Sequence, residues 1–438
     1  MALSVVILAA GEGKRMRSSL PKVLHKICGQ EMLAHVIESA LQVSDDLHII
    51  LYHQHDRIAQ MIKERFGANL DQIHIHLQDH ARYPGTGGAL LDHGKPLATT
   101  HPRLLILNAD MPLISKQALE PFLESSADNA IGVFSLPNKE GYGRVVIADQ
   151  QVKAIIEQKD ASAQELALDT LNAGVYLFSQ EFLQEFLPKL DCHNAQKEYY
   201  LTQLITLGGR DHVITPIFVN PKAFLGVNSQ QELAHAQDQM LERLRQEAMA
   251  MGVQMQMPHT IYLEKQVHFE GLCILEQGVR LVGNCVLKSA HIKAHSVIEE
   301  SYIEKSDIGP LAHVRPKCQI VNSHIGNFVE IKNARLRGVK AGHLSYLGDC
   351  EIDTGSNIGA GVITCNYDGK AKHKTSIGKN VFIGSDTQLI APLSIPDHVI
   401  IGAGSTVSQP VQEGDLVLSR PPQTNKAGGY YRFFGEKR

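Results

Sequence analysis

The chain has 438 residues, with 42 Lys+Arg against 46 Asp+Glu and 43% hydrophobic residues, enough apolar material for roughly two or three packed domains and too much for a disordered chain. A formal charge of -4 supplies no global positive field, so neither nucleic acid nor an anionic membrane is expected as a partner. Seven scattered cysteines with no C-x-x-C pair, no apolar run of about 18 residues and no basic leader indicate a reducing, cytoplasmic setting without disulfides, a zinc cage or a membrane span.

From the N-terminus to about residue 227, short apolar runs alternate with helix-length amphipathic stretches. Val5–Leu8, Leu47–Leu51 and Leu104–Leu107 read as buried strands of a mostly parallel sheet. Ligands of such sheets bind at the carboxyl ends of the strands, which directs attention to the loops after Leu8 and Leu107. The first loop carries Gly11 and Gly13, which let backbone N–H groups approach phosphate oxygens, and Arg15 and Lys22 add positive charge there. It has neither the third glycine of a dinucleotide fingerprint nor the spacing of a P-loop. Gln78 precedes a second glycine loop, Gly85-Thr86-Gly87-Gly88, and Asp110 follows the strand ending at Leu107. A carboxylate at that edge suits Mg²⁺, while a turn-forming Asp before Met111-Pro112 is the plainer alternative. His53-x-His55 and His74-x-His76 could each set two imidazoles on one strand face, as a metal site would, but the alternation in Ile73–Gln78 favours the wet face of a half-buried strand.

A single helix is expected over 229–251, opened by Ser229-x-x-Glu232 and closed by Gly252, with Leu233, Met240, Leu241, Leu244, Ala248 and Met251 forming one apolar stripe. It divides the chain into an N-terminal domain (1–228), a linker helix (229–252) and a C-terminal domain (253–438). Beyond Val253 a six-residue repeat appears, clearest at Ile377, Ile383, Leu389, Ile395, Ile401 and Val407. Six matches neither a helix nor a strand. A three-sided coil satisfies it, one aliphatic residue per side pointing inward and successive coils stacking as parallel strands. Ile320 to Ile325 and Ile331 to Leu336 are each one residue short, so coils tighten there, and Asn366–Lys370 marks a projecting loop.

In the N-terminal half Leu8-Ala9-Ala10-Gly11, Arg15-Met16, Pro21-Lys22, Gly85-Thr86-Gly87 and the Asp110 loop together resemble the sugar-nucleotidyltransferase family, with a Rossmann-like domain. The resemblance implies that Leu8, Ala9, Ala10 and Gly11 belong to the uridylyl substrate site, that Arg15 and Lys22 bind the triphosphate as catalytic residues, that Gln78, Gly85 and Thr86 read uracil, that Gly143, Glu157 and Asn172 contact sugar, and that Asp110 and Asn228 hold Mg²⁺. Glu12, Lys14, Gly88 and Ala109 depart from that pattern, Glu12 placing negative charge beside a triphosphate.

In the C-terminal half Lys340–Asp349, Asn357–Gly361 and Thr364–Gly369 resemble the family of bifunctional N-acetylglucosamine-1-phosphate uridylyltransferases/glucosamine-1-phosphate N-acetyltransferases, both halves standing in that order. The family fold implied is a left-handed parallel β-helix. An amine attacking a thioester needs a base, for which His343 is suited. The resemblance makes Glu330 its orienting partner. It also implies that Arg315 and Lys332 bind the sugar phosphate, with Tyr346, Asn357, Asn366 and Tyr367 as further contacts. Ala360, Ser385, Ala403 and Arg420 would line an acetyl-coenzyme A groove. UTP, glucosamine 1-phosphate and N-acetylglucosamine 1-phosphate are the implied substrates, and a homotrimer the implied assembly. Cys365 lacks an adjacent base in its motif, so direct transfer to the amine is simpler than an acetyl-thiol intermediate. The rivals are a monofunctional nucleotidyltransferase with a purely assembling prism and a non-catalytic scaffold.

Overall fold

The computed structural model describes residues 3–435. The chain divides into two compact units, Met1–Met240 and Leu241–Arg438, the division falling inside the helix Gln230–Ala250.

In the first unit Ser4–Ala9, Leu47–Leu51 and Ile73–Leu77 lie side by side and parallel, and Arg103–Asn108 pairs in parallel with the other edge of Ser4–Ala9. Their apolar runs are near-continuous because both faces are covered. Val5, Ile7, Leu105 and Leu107 enter one core with Phe122, while Val6, Leu104 and Ile106 enter the other with Phe178 and Phe182. Chain order reverses between Ser4–Ala9 and Arg103–Asn108, which makes their carboxyl ends the switch point where a ligand crevice forms.

The sheet is less parallel than its apolar runs implied. Leu171–Ser179 pairs antiparallel with Arg103–Asn108 and Ala130–Phe134, and Arg144–Ala148 and Gln151–Ile156 form an antiparallel hairpin. A run buried on both faces carries no record of strand direction. The histidine reading is also corrected. His53 and His55 lie beyond the strand Leu47–Leu51, and His55 opens the helix His55–Arg65. His76 is not simply wet: its Nε2 lies 2.9 Å from Nδ1 of the buried His48, while Leu77 is exposed. Among the described residues no group of three His, Cys, Asp or Glu side chains is arranged to hold a metal ion.

The helix Gln230–Ala250 starts as expected, with Ser229 Oγ accepting from Glu232 N at 3.2 Å. The Glu232 carboxylate reaches back to Asn228 N at 2.6 Å, one residue earlier than the usual reciprocal box. Met251 leaves the apolar stripe, being 68% exposed beyond the last turn. Arg245 joins the buried side instead, donating to the carbonyls of Ile261 at 2.8 Å and His259 at 3.2 Å.

The second unit is a parallel β-helix of three sheets. Ile377, Ile383 and Leu389 sit on three different sheets and pair with Ile395, Ile401 and Val407 one coil later, all six buried. The hexad is therefore one side of an 18-residue coil. Ile320 pairs with Leu336 and Ile331 with Leu347, coils of 16 residues, so the shortened repeats tighten the turns without losing register. Ile352 to Ile377 takes 25 residues because the loop after Cys365 is inserted within that coil.

Candidate active sites

At the switch point of the first unit a cavity of about 400 Å³ is lined by Leu8, Ala9, Ala10, Gly11, Lys22, Gln78, Gly85, Thr86 and Asp110. Lys22 follows Pro21 in the short turn Lys22–Leu24 and packs on Gly13, where a Cβ would stand 2.6 Å from Lys22 Cβ. Gly13 is therefore required both by its φ of +65° and by this contact. The Lys22 ammonium donates to Asp110 and, at 2.9 Å, to Asn228 Oδ1. Val227 N donates to Asp110 O at 2.9 Å, tying the segment that carries Asn228 to the Asp110 loop.

Gln78 is buried, its Nε2 donating to Tyr83 O at 2.8 Å and Gly85 O at 2.9 Å, so the amide nitrogen shapes the second glycine loop. Thr86 Oγ1 accepts from Leu201 N at 3.1 Å. Gly88 has no room for a larger side chain, since a Cβ would stand 2.1 Å from Tyr83 O. Arg15 is exposed and lies off the cavity wall. Lys14 and Glu12 line it instead, joined at 2.6 Å, and the Lys14 ammonium holds the Glu12 carboxyl below its ordinary range. His80 and Glu198 complete the wall. His80 stacks on Tyr52 with centroids 4.3 Å apart, a contact no local sequence pattern signalled.

A smaller cavity of about 210 Å³ shares Leu8, Thr86, Asn108 and Asp110 with the first and adds Gly143, Glu157, Asn172 and Asn228. Glu157 Oε1 accepts from Thr202 Oγ1 at 3.0 Å, and burial pushes the Glu157 carboxyl up. Asn172 Nδ2 donates to Tyr176 OH at 2.7 Å, and Asn172 Oδ1 accepts from Gly174 N at 3.0 Å. Thr202 was missed because its spacing to Glu157 carries no signal.

In the β-helix the second group of candidates straddles two sheets. One bears His343 and Asn357. The other bears Glu330, Lys332 and Tyr346, with Glu330 beside Tyr346. Glu330 Oε1 accepts from Arg315 Nη1 at 3.0 Å. Lys332 is held below its ordinary range by the Lys372 ammonium beside it. Together with Arg315 these cations suit a phosphate. Exposed His343 ends the strand Lys340–His343 opposite Asn327, and Gly326 leaves space for the carbonyl of Gly342 behind it. Gly348 makes room for Tyr346 OH and Asn366, whose Nδ2 donates to Asp349. Tyr367 is exposed on a loop held by Asp368, which accepts from the backbone of Lys370 and Ala371 and lies 2.7 Å from His373 Nε2.

Farther along, Gly359, Gly384 and Gly402 occupy corners where a Cβ would meet the next coil at 2.4–2.5 Å. Ala360, Ser385 and Ala403 follow them as a ladder of small residues, and Arg420 reaches Ala403 O.

A crevice lined by lysines and glycine loops at a Rossmann-like switch point, followed by a hexad-repeat β-helix with an exposed histidine and a cation cluster, is the architecture of a nucleotidyltransferase joined to an acyltransferase. Residues 5–171 match the MobA-like NTP transferase domain. The chain is 58% identical to the Bifunctional protein GlmU of Helicobacter pylori over 434 residues, 99% of each protein. It is 53% identical over 437 residues to that of Nitratiruptor sp. and 51% over 439 residues to that of Wolinella succinogenes, with 100% of each protein covered. A solved inositol-1-phosphate CTP transferase from T. maritima overlaps 54% of this chain and 94% of its own, at 15% identity and a TM-score of 0.42. The chain belongs to the GlmU family. It is a bifunctional transferase that uses acetyl-coenzyme A and makes UDP-N-acetylglucosamine for cell-wall synthesis.

Proposed function

We propose that the paired cavities of the first unit are the uridylyl-transfer site and that the two-sheet corner of the β-helix is the acetyl-transfer site. At the corner the amine of glucosamine 1-phosphate attacks the thioester carbonyl carbon of acetyl-coenzyme A. A C–N bond forms, the C–S bond breaks and coenzyme A leaves as its thiol. His343 takes the amine proton as general base. Arg315 and Lys332 hold the phosphate, and Tyr346, Asn357, Asn366 and Tyr367 position the sugar and acetyl groups; Glu330, expected to orient His343, instead has its carboxylate on Arg315 and fixes that guanidinium. The ladder Ala360, Ser385 and Ala403, with Arg420 at its end, offers a shallow track for the coenzyme.

In the first unit the phosphate of N-acetylglucosamine 1-phosphate then attacks the α-phosphorus of UTP in line, and pyrophosphate leaves. Lys22 and Lys14 offset the negative charge, Gln78, Gly85 and Thr86 frame the base, and Gly143, Glu157 and Asn172 hold the sugar; Arg15, off the cavity wall, takes no part in this assignment. Asp110 and Asn228 fit Mg²⁺: their oxygens converge on one cation, the Lys22 ammonium, and an all-oxygen donor set is the kind that hard ion takes. When bound, the ion would neutralise phosphate charge. A homotrimer is supported by the exposed aromatic helix Gly429–Phe434 and by exposed Leu311, Phe328 and Leu344, stacked along one corner of the prism in successive coils. Sedimentation at two protein concentrations tests it.

The observation that carries the assignment is the convergence of Lys22, Asp110 and Asn228 where the two first-unit cavities meet. Thiol release and pyrophosphate release, followed separately, test it. With N-acetylglucosamine 1-phosphate supplied for the pyrophosphate assay, Asp110→Ala abolishes pyrophosphate release and spares thiol release, and His343→Ala does the reverse. Substitutions that each leave their own reaction intact refute the assignment.

A further inference from the structure

The oxygens suited to a divalent cation already hold a cation of the chain's own. Lys22 Nζ donates to Asp110 and to Asn228 Oδ1, its side chain 11% exposed and that of Asp110 17%. The acceptors are fixed. Asp110 follows a central strand, and the backbone bond from Val227 fastens the Asn228 segment to it. The ammonium is the movable member, a compact charge on a flexible stem, and Lys22 also lines the cavity formed by the first glycine loop. Phosphate oxygens arriving there offer it several anionic acceptors in place of one carboxylate and one amide.

We propose that Lys22 is a built-in competitor for the cation site, closing the Asp110–Asn228 pair to free divalent ions until the nucleotide's phosphates draw the ammonium away. The cation then enters with the nucleotide or after it, never ahead of it. This rests on the assignment of Asp110 and Asn228 as the metal pair made above. Free cation at cellular concentration therefore does not by itself organise the site, and the positive charge at position 22 does two successive jobs: counter-ion to Asp110, then counter-ion to phosphate.

The probe is Mn²⁺ alone, titrated into the nucleotide-free full chain and followed by the loss of the free-ion electron paramagnetic resonance signal. Lys22→Gln removes the charge and is expected to bind Mn²⁺ about tenfold or more tightly than the native chain. Lys22→Arg keeps the charge and stays within roughly threefold of native. A Lys22→Gln chain that binds no better than native, while adding Asp110→Asn still weakens it, overturns the competitor. If Asp110→Asn leaves the uptake by Lys22→Gln unchanged, the metal assignment is what fails. Should Lys22→Gln not fold, the native chain supplies the test. Acetylation of Lys22 by acetic anhydride, read by mass spectrometry, rises as Mn²⁺ is forced in without nucleotide, because the displaced amine has lost its two acceptors. Labelling that stays flat while Mn²⁺ binds overturns the proposal.

Discussion

Replacing Gly326 by Ala isolates the position of His343 from its chemistry. Gly326 lies in the strand His324–Asn327, whose Asn327 pairs with His343 in the next coil. A Cβ at Gly326 would sit 1.9 Å from Gly342 O and 2.7 Å from Gly342 C, where even 3.0 Å is closer than side-chain carbons approach. Backbone is being met, so no rotamer change relieves the clash, and one strand must move by about 1 Å just before His343. Misplacing a reacting group by roughly 1 Å costs on the order of 100-fold in rate. The overpacking itself destabilises by about 1–3 kcal/mol, which urea unfolding of the same preparation separates from the loss of rate. Gly342→Ala is the matched control, because a Cβ there meets nothing within 4 Å. Thiol release from acetyl-coenzyme A with glucosamine 1-phosphate reads the β-helix, and pyrophosphate release from UTP with added N-acetylglucosamine 1-phosphate reads the first unit, in separate assays on one preparation. The expected pattern is a loss of roughly two orders of magnitude in acetyl transfer for Gly326→Ala only, with pyrophosphate release unchanged. Acetyl transfer within about threefold of native in Gly326→Ala would show that the placement of His343 does not depend on this contact.

Glu12→Ala frees Lys14 and removes a negative charge from the cavity proposed for UTP, so KM for UTP falls by roughly three- to tenfold at low salt and by less at high salt, as initial rates at two ionic strengths will show. Ile331→Ala empties a fully buried position between Val314 and Leu347 in adjacent coils and costs about 2–5 kcal/mol, measurable by urea unfolding of the full chain. Burial depresses His48 and His76, His48's charge adding to the effect on His76 and Asp46 partly opposing it on His48. The unfolded chain therefore binds more protons just below the ordinary imidazole range. The stability these groups contribute is complete above about pH 6.5 and is lost as pH falls through their folded values; His48→Asn should flatten that slope in unfolding midpoints taken from pH 7.5 to 5. At Asp46 burial opposes ionisation, yet hydrogen bonds from Ser4 and Thr100 and the nearby His48 bring the carboxyl down to about 2. Its contribution is complete above its ordinary range and is lost as pH falls toward 2, so Asp46→Asn should lose stability at pH 6 and little at pH 2.

Periodicity and local chemistry along the chain determine much of this protein. A six-residue aliphatic repeat has one economical way to bury its residues, a three-sided coil, and the spacing alone placed Ile377, Ile383 and Leu389 on separate sheets. Buried apolar runs ending in glycine loops likewise located the crevice at the first and fourth strands of the parallel group. The tertiary structure alone decided what distant residues do to one another. Lys22 and Asn228 stand 206 positions apart in sequence, and no local pattern tells that one ammonium bridges Asp110 and Asn228. The same holds for the pairing of Arg315 with Glu330, the clash that reserves position 326 for glycine, and the burial of His48 against His76. Strand direction across the outer half of the first sheet was also silent, because residues buried on both faces look alike whichever way the chain runs. Repeats and turns are set by neighbours along the backbone, whereas charge pairing and close packing depend on groups brought together only when the chain folds.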